Sequence, residues 1–282
     1  MSVYDDTEPI DLSRVNTYEL ASRPSKVTAA DLAKAPTEGD SLADFFAKLP
    51  DVLAVRSLRE VAAAIRRARE SGKPIIWGIG GHVIKTGLSP VLIDLMERGF
   101  VTALASNGSV LVHDTEMALV GFTSEDVDAT LGSGDFGAAR ETGEILNSAA
   151  KRAAADGIGL GESMGRELAG LSPANAAISL LCSAYAKRVP FTAHLTIGAD
   201  IGHFHASCDG GALGTASHRD FRLFCTLVQK MDGGGVYINF GSAVTMPEIF
   251  LKAVTVVRNL GHGLNDITTA NFDFIQHYRP MT

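Results

Sequence analysis

The chain has 282 residues, 46% hydrophobic and 20% charged, with a formal net charge of −7. That length supports a full core in one large α/β domain or two small ones. The acidic balance argues against nucleic acid as a partner, and no apolar run reaches the roughly 18–20 residues of a membrane span.

Residues 1–25 are polar, with Asp5, Asp6, Glu8, Asp11 and Pro24, and read as an arm. Residues 28–49 predict two short helices, the second being "SLADFFAKLP" with Phe45, Phe46 and Leu49 on its apolar side. The arm and these helices (1–50) precede an α/β domain over 51–282. Ser57 and Glu60 form an S-x-x-E capping box, and the helix that follows stops at Gly72. An apolar run, "PIIWGIGG" (74–81), then ends in glycines. "SPVLIDLMERG" (89–99) is a helix with Ser89 as N-cap and Pro90 at the first helical position. "FVTALAS" (100–106) is strand-like, and helical stretches follow near 137–155 and 174–188. "VPFTAHLTIG" (189–198) and "GVYINFGSA" (235–243) are strands around the helix 218–231, and "DITTANFD" (266–273) is a last strand after the helix 246–261. Strands alternating with helices require crossovers, hence a Rossmann-like, mostly parallel sheet with helices on both faces.

In such a sheet ligands bind beyond the carboxyl ends of the strands. Those ends read Gly80-Gly81-His82, Ser106-Asn107-Gly108, Thr196-Ile197-Gly198, Gly241-Ser242-Ala243 and Thr268-Thr269-Ala270-Asn271. Small and hydroxylated residues let a flat ligand approach the backbone, and free N–H groups there hold phosphates. Turns between strands and helices are rich in Gly, Ser and Asn on their own account, so an ordinary turn is the competing reading of any one of them. "GSGDFG" (132–137) has the form G-x-G-x-x-G, but the preceding "VDATL" is short and carries Asp128, unlike a buried first strand.

These strand ends resemble two related families. "ALASNGSVLVHDTE" is similar to a segment of the NAD-binding domain of LOR/SDH-type archaeal ornithine cyclodeaminases. "NAAISLLCSAYAKRVPFTAHLTIGADIG", "GVYINFGSAVTMPEIFLKA" and "DITTANFD" resemble segments of the deoxyhypusine synthase fold family. The resemblance implies a deoxyhypusine synthase-like sheet that binds NAD along its strand ends, in a homo-oligomer such as a dimer or tetramer. It implies cofactor contacts at Gly81, His82, Thr86, Ser106, Asn107, Gly108, Glu116, Gly241, Ser242, Thr269 and Ala270. Asp114 or Glu116 falls near the acid that touches ribose, and Asp273 near the nicotinamide and amine site. The synthase's lysine nucleophile would lie beyond Thr282, its histidine falls near Met246, and the Asp of its Thr-Asp-Gly motif is Ile197, with Asp200 close by. Deoxyhypusine synthesis itself is therefore not expected.

Other residues carry candidate chemistry. His113 is the first proton carrier to consider, beside Asp114, although Asp114 at a helix start would instead be an N-cap. Lys85 is the nearest candidate amine nucleophile, against the reading of a surface lysine. His203 and His205, on an extended segment, would share one side and begin a zinc or iron site with His194 or a carboxylate. The competing reading is two loop histidines. Lys252 lies on a helix and snorkels. The closing "FDFIQHYRP" gathers Asp273, His277, Tyr278 and Arg279, with Arg279 suited to a carboxylate or phosphate. Cys182, Cys208 and Cys225 lack CxxC spacing, and with no signal peptide visible they fit a reducing cytoplasm. The expected protein is an NAD-binding enzyme acting on C–N bonds of a small amine or amino acid, a transferase, oxidoreductase or deaminase. The alternatives are a metal-dependent hydrolase at His203/His205 and a non-catalytic oligomeric ligand-binding protein.

Overall fold

The computed structural model describes residues 3–275, so His277, Tyr278 and Arg279 lie outside the described residues. The chain divides into two compact units, Met1–Arg59 and Glu60–Thr282. The first contains 3-10 turns at Leu20–Ser22 and Ala29–Asp31 and the helix α1, Leu42–Lys48. Ser41 and Asp44 form a reciprocal capping box at its start. Lys48 pairs with Asp40 at 2.6 Å and Arg59 with Asp51 at 3.1 Å. Phe45 and Phe46 are exposed, so the expected apolar side of α1 is not buried within this unit. Helix α2 runs Leu53–Glu70, which puts Ser57 and Glu60 inside it. The capping box read there is corrected, because the helix starts at Leu53, five residues before the start that a Ser57 cap implies.

The second unit is a three-layer α/β structure. Its strands are β1 Ile75–Ile79, β2 Ala103–Asn107, β3 Phe191–His194, β4 Gly235–Phe240 and β5 Ile267–Phe272. All are parallel, in the order β3-β2-β1-β4-β5. Between them lie α3 Gly81–Lys85, α4 Ser89–Glu97, α5 Gly108–Val120, α6 Val127–Thr130, α7 Arg140–Asp156, α8 Leu160–Leu171, α9 Leu180–Lys187, α10 Gly210–Gln229 and α11 Thr245–Asn259. Ser89 is the first residue of α4 and Leu88 its N-cap, one residue from the expected start. No described helix is long and apolar enough to cross a membrane.

Strand alternation assigns the two faces. Ile76, Ala103, Ala105 and Tyr237 pack against Phe224 and Val228 of α10 and Phe250 and Ala253 of α11. On the other face, Ile75, Val236 and Ile238 meet Ala64 and Ala68 of α2, while Leu104 and Ile79 join the core with α4, α5, α8 and α9. The ring of Tyr237 stacks on Phe250 at 3.8 Å and crosses under Gly78. A Cβ at Gly78 would stand 2.1 Å from the Tyr237 hydroxyl oxygen, so this central strand position has room only for hydrogen.

Asp220 of α10 is buried and braces the sheet edge. Its Oδ2 accepts the N–H of Gly161 at 2.8 Å, capping α8, and the N–H of Ala193 at 2.8 Å, closing the free edge of β3. Its Oδ1 has no partner, and burial pushes the carboxyl up to about 7.

Two outcomes are expected. Gly78→Ala lowers unfolding free energy by about 1–3 kcal/mol through overpacking, and Tyr237→Phe in that background recovers part of it, read by urea denaturation. Asp220 is raised in the fold, so its contribution is full below its unfolded value near 3.8 and is lost as pH rises through about 7. The stability difference between wild type and Asp220→Asn therefore shifts in favour of the variant from pH 4 to 7, by at most about 1.4 kcal/mol per pH unit. A pH-independent difference in urea midpoints would contradict this.

Candidate functional site

The strand order reverses between β1 and β4, and the carboxyl ends of the strands at such a switch point are where a parallel sheet has its ligand crevice. The floor there is backbone alone. Gly80 N–H donates to Phe240 O at 3.3 Å, and a Cβ on Gly80 would stand 2.1 Å from Gly241 O. Gly241 has φ 64°, a left-handed conformation that favours glycine. Ser242 is buried, and its hydroxyl accepts Met246 N–H at 3.2 Å at the start of α11. Thr269 is exposed and Ala270 half-buried, both on β5. Asp273 follows β5, and its Oδ1 accepts Phe274 N–H. Beside them Asn239 donates to Asn271 Oδ1 at 2.6 Å and to Ser242 O at 2.8 Å.

The end of β2 is another buried polar point of this edge. Ser106 is fully buried, and its hydroxyl oxygen has no partner. Asn107 is the N-cap of α5 but makes no side-chain cap bond, its Oδ1 accepting Ser109 Oγ instead at 2.9 Å. The first N–H groups of α5 thus have no side-chain acceptor from Asn107, and they carry the helix's positive end. The carboxylate of Asp200 lies against Gly108, where a Cβ would come within 2.4 Å of both its oxygens. Thr196 N–H donates to it at 3.2 Å, and burial raises its pKa.

Helix α5 starts at Gly108 directly after Asn107 and stops at the left-handed Gly121, so the acid-and-histidine cluster 113–116 lies on a helix. Its members separate. His113 reaches the crevice, where a Cβ on Gly81 would stand 3.1 Å from its Cδ2. Its Nδ1 is 2.8 Å from Thr123 Oγ1, and that hydroxyl donates to Glu116. Thr142 also donates to Glu116, at 3.1 Å. Burial, with Lys85 and His82 adding positive charge, pushes the His113 imidazole down to about 4. Asp114 is fully buried and faces away, toward α9. It accepts Ser179 Oγ at 2.6 Å, Leu180 N–H at 2.8 Å and Leu181 N–H at 2.9 Å. Instead of capping its own helix or touching the crevice, it caps α9. Thr115 is buried with an unpartnered hydroxyl.

Around the mouth, Lys85 and His82 are exposed on α3, and Thr86 caps that helix, donating to His82 O at 2.8 Å. His203 lies in a 3-10 turn, Ile201–Phe204, and not on an extended segment. Its Nδ1 accepts Gly198 N–H at 3.1 Å, whereas His205 Nε2 is 3.0 Å from Gly137 O. The shared side expected for these rings is thereby corrected. Among the described residues no three His, Cys, Asp or Glu side chains converge as metal ligands. His194 is buried beside Thr192, at 3.0 Å, and burial pushes it down to about 3. Lys252 pairs with Glu248 on α11. The segment 132–137 follows the helical turn α6 rather than a strand, so it is a glycine-rich loop. A cavity of about 790 Å³ lies elsewhere, at the start of β3, lined by Tyr185, Pro190, Phe191 and Leu223. Thr123, Thr142 and Ser179 carried no sequence signal, being single hydroxyls in otherwise unpatterned stretches.

Residues 59–147 match the family model for the Rossmann-fold, C-terminal part of ArgZ-like arginine dihydrolases. The bifunctional arginine dihydrolase/ornithine cyclodeaminase ArgZ of Synechocystis sp. is 35% identical over 91 residues, 32% of this chain and 13% of that protein. The likeness to ornithine cyclodeaminases read from "SNGSVLVHD" is thereby borne out over this stretch. Among solved structures, AgrE of Nostoc sp. in its complex with ornithine and NAD+ overlays with a TM-score of 0.44 at 18% identity, over 76% of this chain and 30% of that one. An Entamoeba histolytica protein described as a deoxyhypusine synthase overlays at 0.42 and 12%, over 77% and 93%. These overlays are loose, and the sequence match at 59–147 carries the relationship.

Asp114→Ala is expected to cost roughly 2–4 kcal/mol, since it strips three donors of their buried acceptor. Chemical denaturation checks it; a cost under about 0.5 kcal/mol would contradict the capping role.

Proposed function

We propose that the carboxyl edge of the sheet binds a nicotinamide dinucleotide and that the protein acts on a C–N bond of a small amine or amino acid. The observation that carries this reading is the conjunction at the end of β2. There the α5 N-terminus, free of a side-chain cap from Asn107, adjoins the buried, unpartnered Ser106 hydroxyl. An anionic pyrophosphate suits the first N–H groups of α5, with the buried Ser106 hydroxyl beneath them. Gly80 and Gly81 let the ends of β1 and β4 and the starts of α3 and α5 close on one another, since a Cβ would stand 2.1 Å from Gly241 O and 2.5 Å from Ser109 Oγ. Asp200, beside Gly108, is the acid suited to ribose hydroxyls. When bound, the nicotinamide accepts hydride from the carbon that bears nitrogen. The chain's own groups then orient the substrate and move protons. Asp273 at the end of β5 is placed to hold an ammonium, and His113 to take a proton, its ring neutral at pH 7. Lys85, exposed on α3, attracts anionic groups to the mouth. The sequence match to ArgZ supports an amino-acid substrate. A cytoplasmic homo-oligomer belongs to the same proposal.

Calorimetric titration with NAD tests it. Micromolar binding is expected, weakened at least tenfold by Asn107→Leu, which crowds the α5 N-terminus. No binding to the wild type overturns the reading.

A further inference from the structure

We infer that Thr123 is a positioning residue that locks His113 in the tautomer with the proton on Nδ1, leaving the Nε2 lone pair free at the crevice. The inference gives the proposed site its proton acceptor and in that sense rests on the proposed function; its geometry does not depend on any cofactor.

The argument is one of donor and acceptor accounting. An ionised carboxylate only accepts hydrogen bonds. Glu116 receives one from Thr142 at Oε1 and one from Thr123 at Oε2. The single proton of the Thr123 hydroxyl is thereby committed to Glu116, so its oxygen meets His113 Nδ1 as an acceptor. Nδ1, 2.8 Å away, must supply the proton of that contact. In a neutral imidazole the other nitrogen then carries the lone pair. Among the described residues Nε2 has no hydrogen-bond partner, and the Cδ2 edge next to it faces Gly81 at the start of α3. His113 and Glu116 are 3.9 Å apart, too far for a direct bond, so the hydroxyl between them is needed to transmit the constraint. The titratable groups facing the ring are Lys85 and His82 on α3 and Glu116 on its own helix. Burial of the ring and the nearby Lys85 oppose a second proton on it, which keeps the lone pair available. Proton uptake at Nε2 gives an imidazolium whose charge Glu116 offsets through Thr123.

Thr123 sits on the loop between α5 and α6, outside every motif of the strand ends. It acts through His113 rather than on a substrate.

The experiment is nitrogen-detected NMR of the full chain labelled with ¹⁵N-histidine, at pH 7.5 and without cofactor. The His113 signals are assigned by their loss in His113→Gln. A pyrrole-type Nδ1 and a pyridine-type Nε2 are expected in the wild type and in Thr123→Ser. In Thr123→Val the ring is expected to move toward the Nε2–H form that free imidazole prefers. A wild-type ring protonated on Nε2, or a Thr123→Val ring unchanged from wild type, overturns the inference. Should Thr123→Val fail to fold, the wild-type tautomer alone decides. The NAD titration is read separately. The expected tautomer without NAD binding leaves the relay standing and removes the proposed function; binding with the other tautomer does the reverse.

Discussion

The second unit depends on buried carboxylates that take over the place of water at helix starts. A helix N-terminus leaves several N–H groups without partners, and burying them unpaired is costly. Asp114 meets that demand for α9 and Asp220 for α8, each from a different helix. Asp220 also reaches the edge strand, so a single side chain joins α8, α10 and β3. The two helix caps span more than fifty residues of sequence, and they hold the helices that back the β2–β3 half of the sheet. The rigidity of the β2 end, and with it the orientation of α5, follows from that bracing.

The same arrangement divides one short cluster between two tasks. His113 and Asp114 are neighbours in sequence, yet a helix turns successive side chains by about 100°. One faces the crevice and the other the interior. Glu116, three residues on from His113, returns to the crevice side. A strand would have offered the opposite pairing, with 114 and 116 on one face.

Parallel architecture was legible because β-branched runs ending in glycine alternate with capped amphipathic stretches, as at 74–99. The small residues at the strand ends were legible for the same reason, since Gly80, Asn107 and Gly241 stand where each run stops. Helix α5 was not. Asp114 and Thr115 are buried along with Gly108, Val110, Leu111, Val112 and Ala118, so polar residues fall on the inner face as well as at Ser109, His113 and Glu116 and blur the helical period. The role of Asp114 was illegible because its partners begin 65 residues later, at Ser179. His-x-His at 203–205 misled because the alternation argument holds only for extended backbone, and a 3-10 turn intervenes. The start of α2 was misplaced because an S-x-x-E pattern is also common inside helices.

The first unit has a different physical character. None of its described residues from 3 to 59 is buried, and its ties are caps and exposed ion pairs such as Arg59–Asp51. Such ties contribute little each and are weakened by salt. Taken by itself, a segment of that kind has no core whose loss must be concerted. Its amide protons exchange with solvent by local opening, at rates that rise with ionic strength, while those of β1 and β4 wait on disruption of the whole sheet. A limited protease would therefore read the chain as two materials, cutting freely ahead of α2, up to about residue 52, and slowing along that helix.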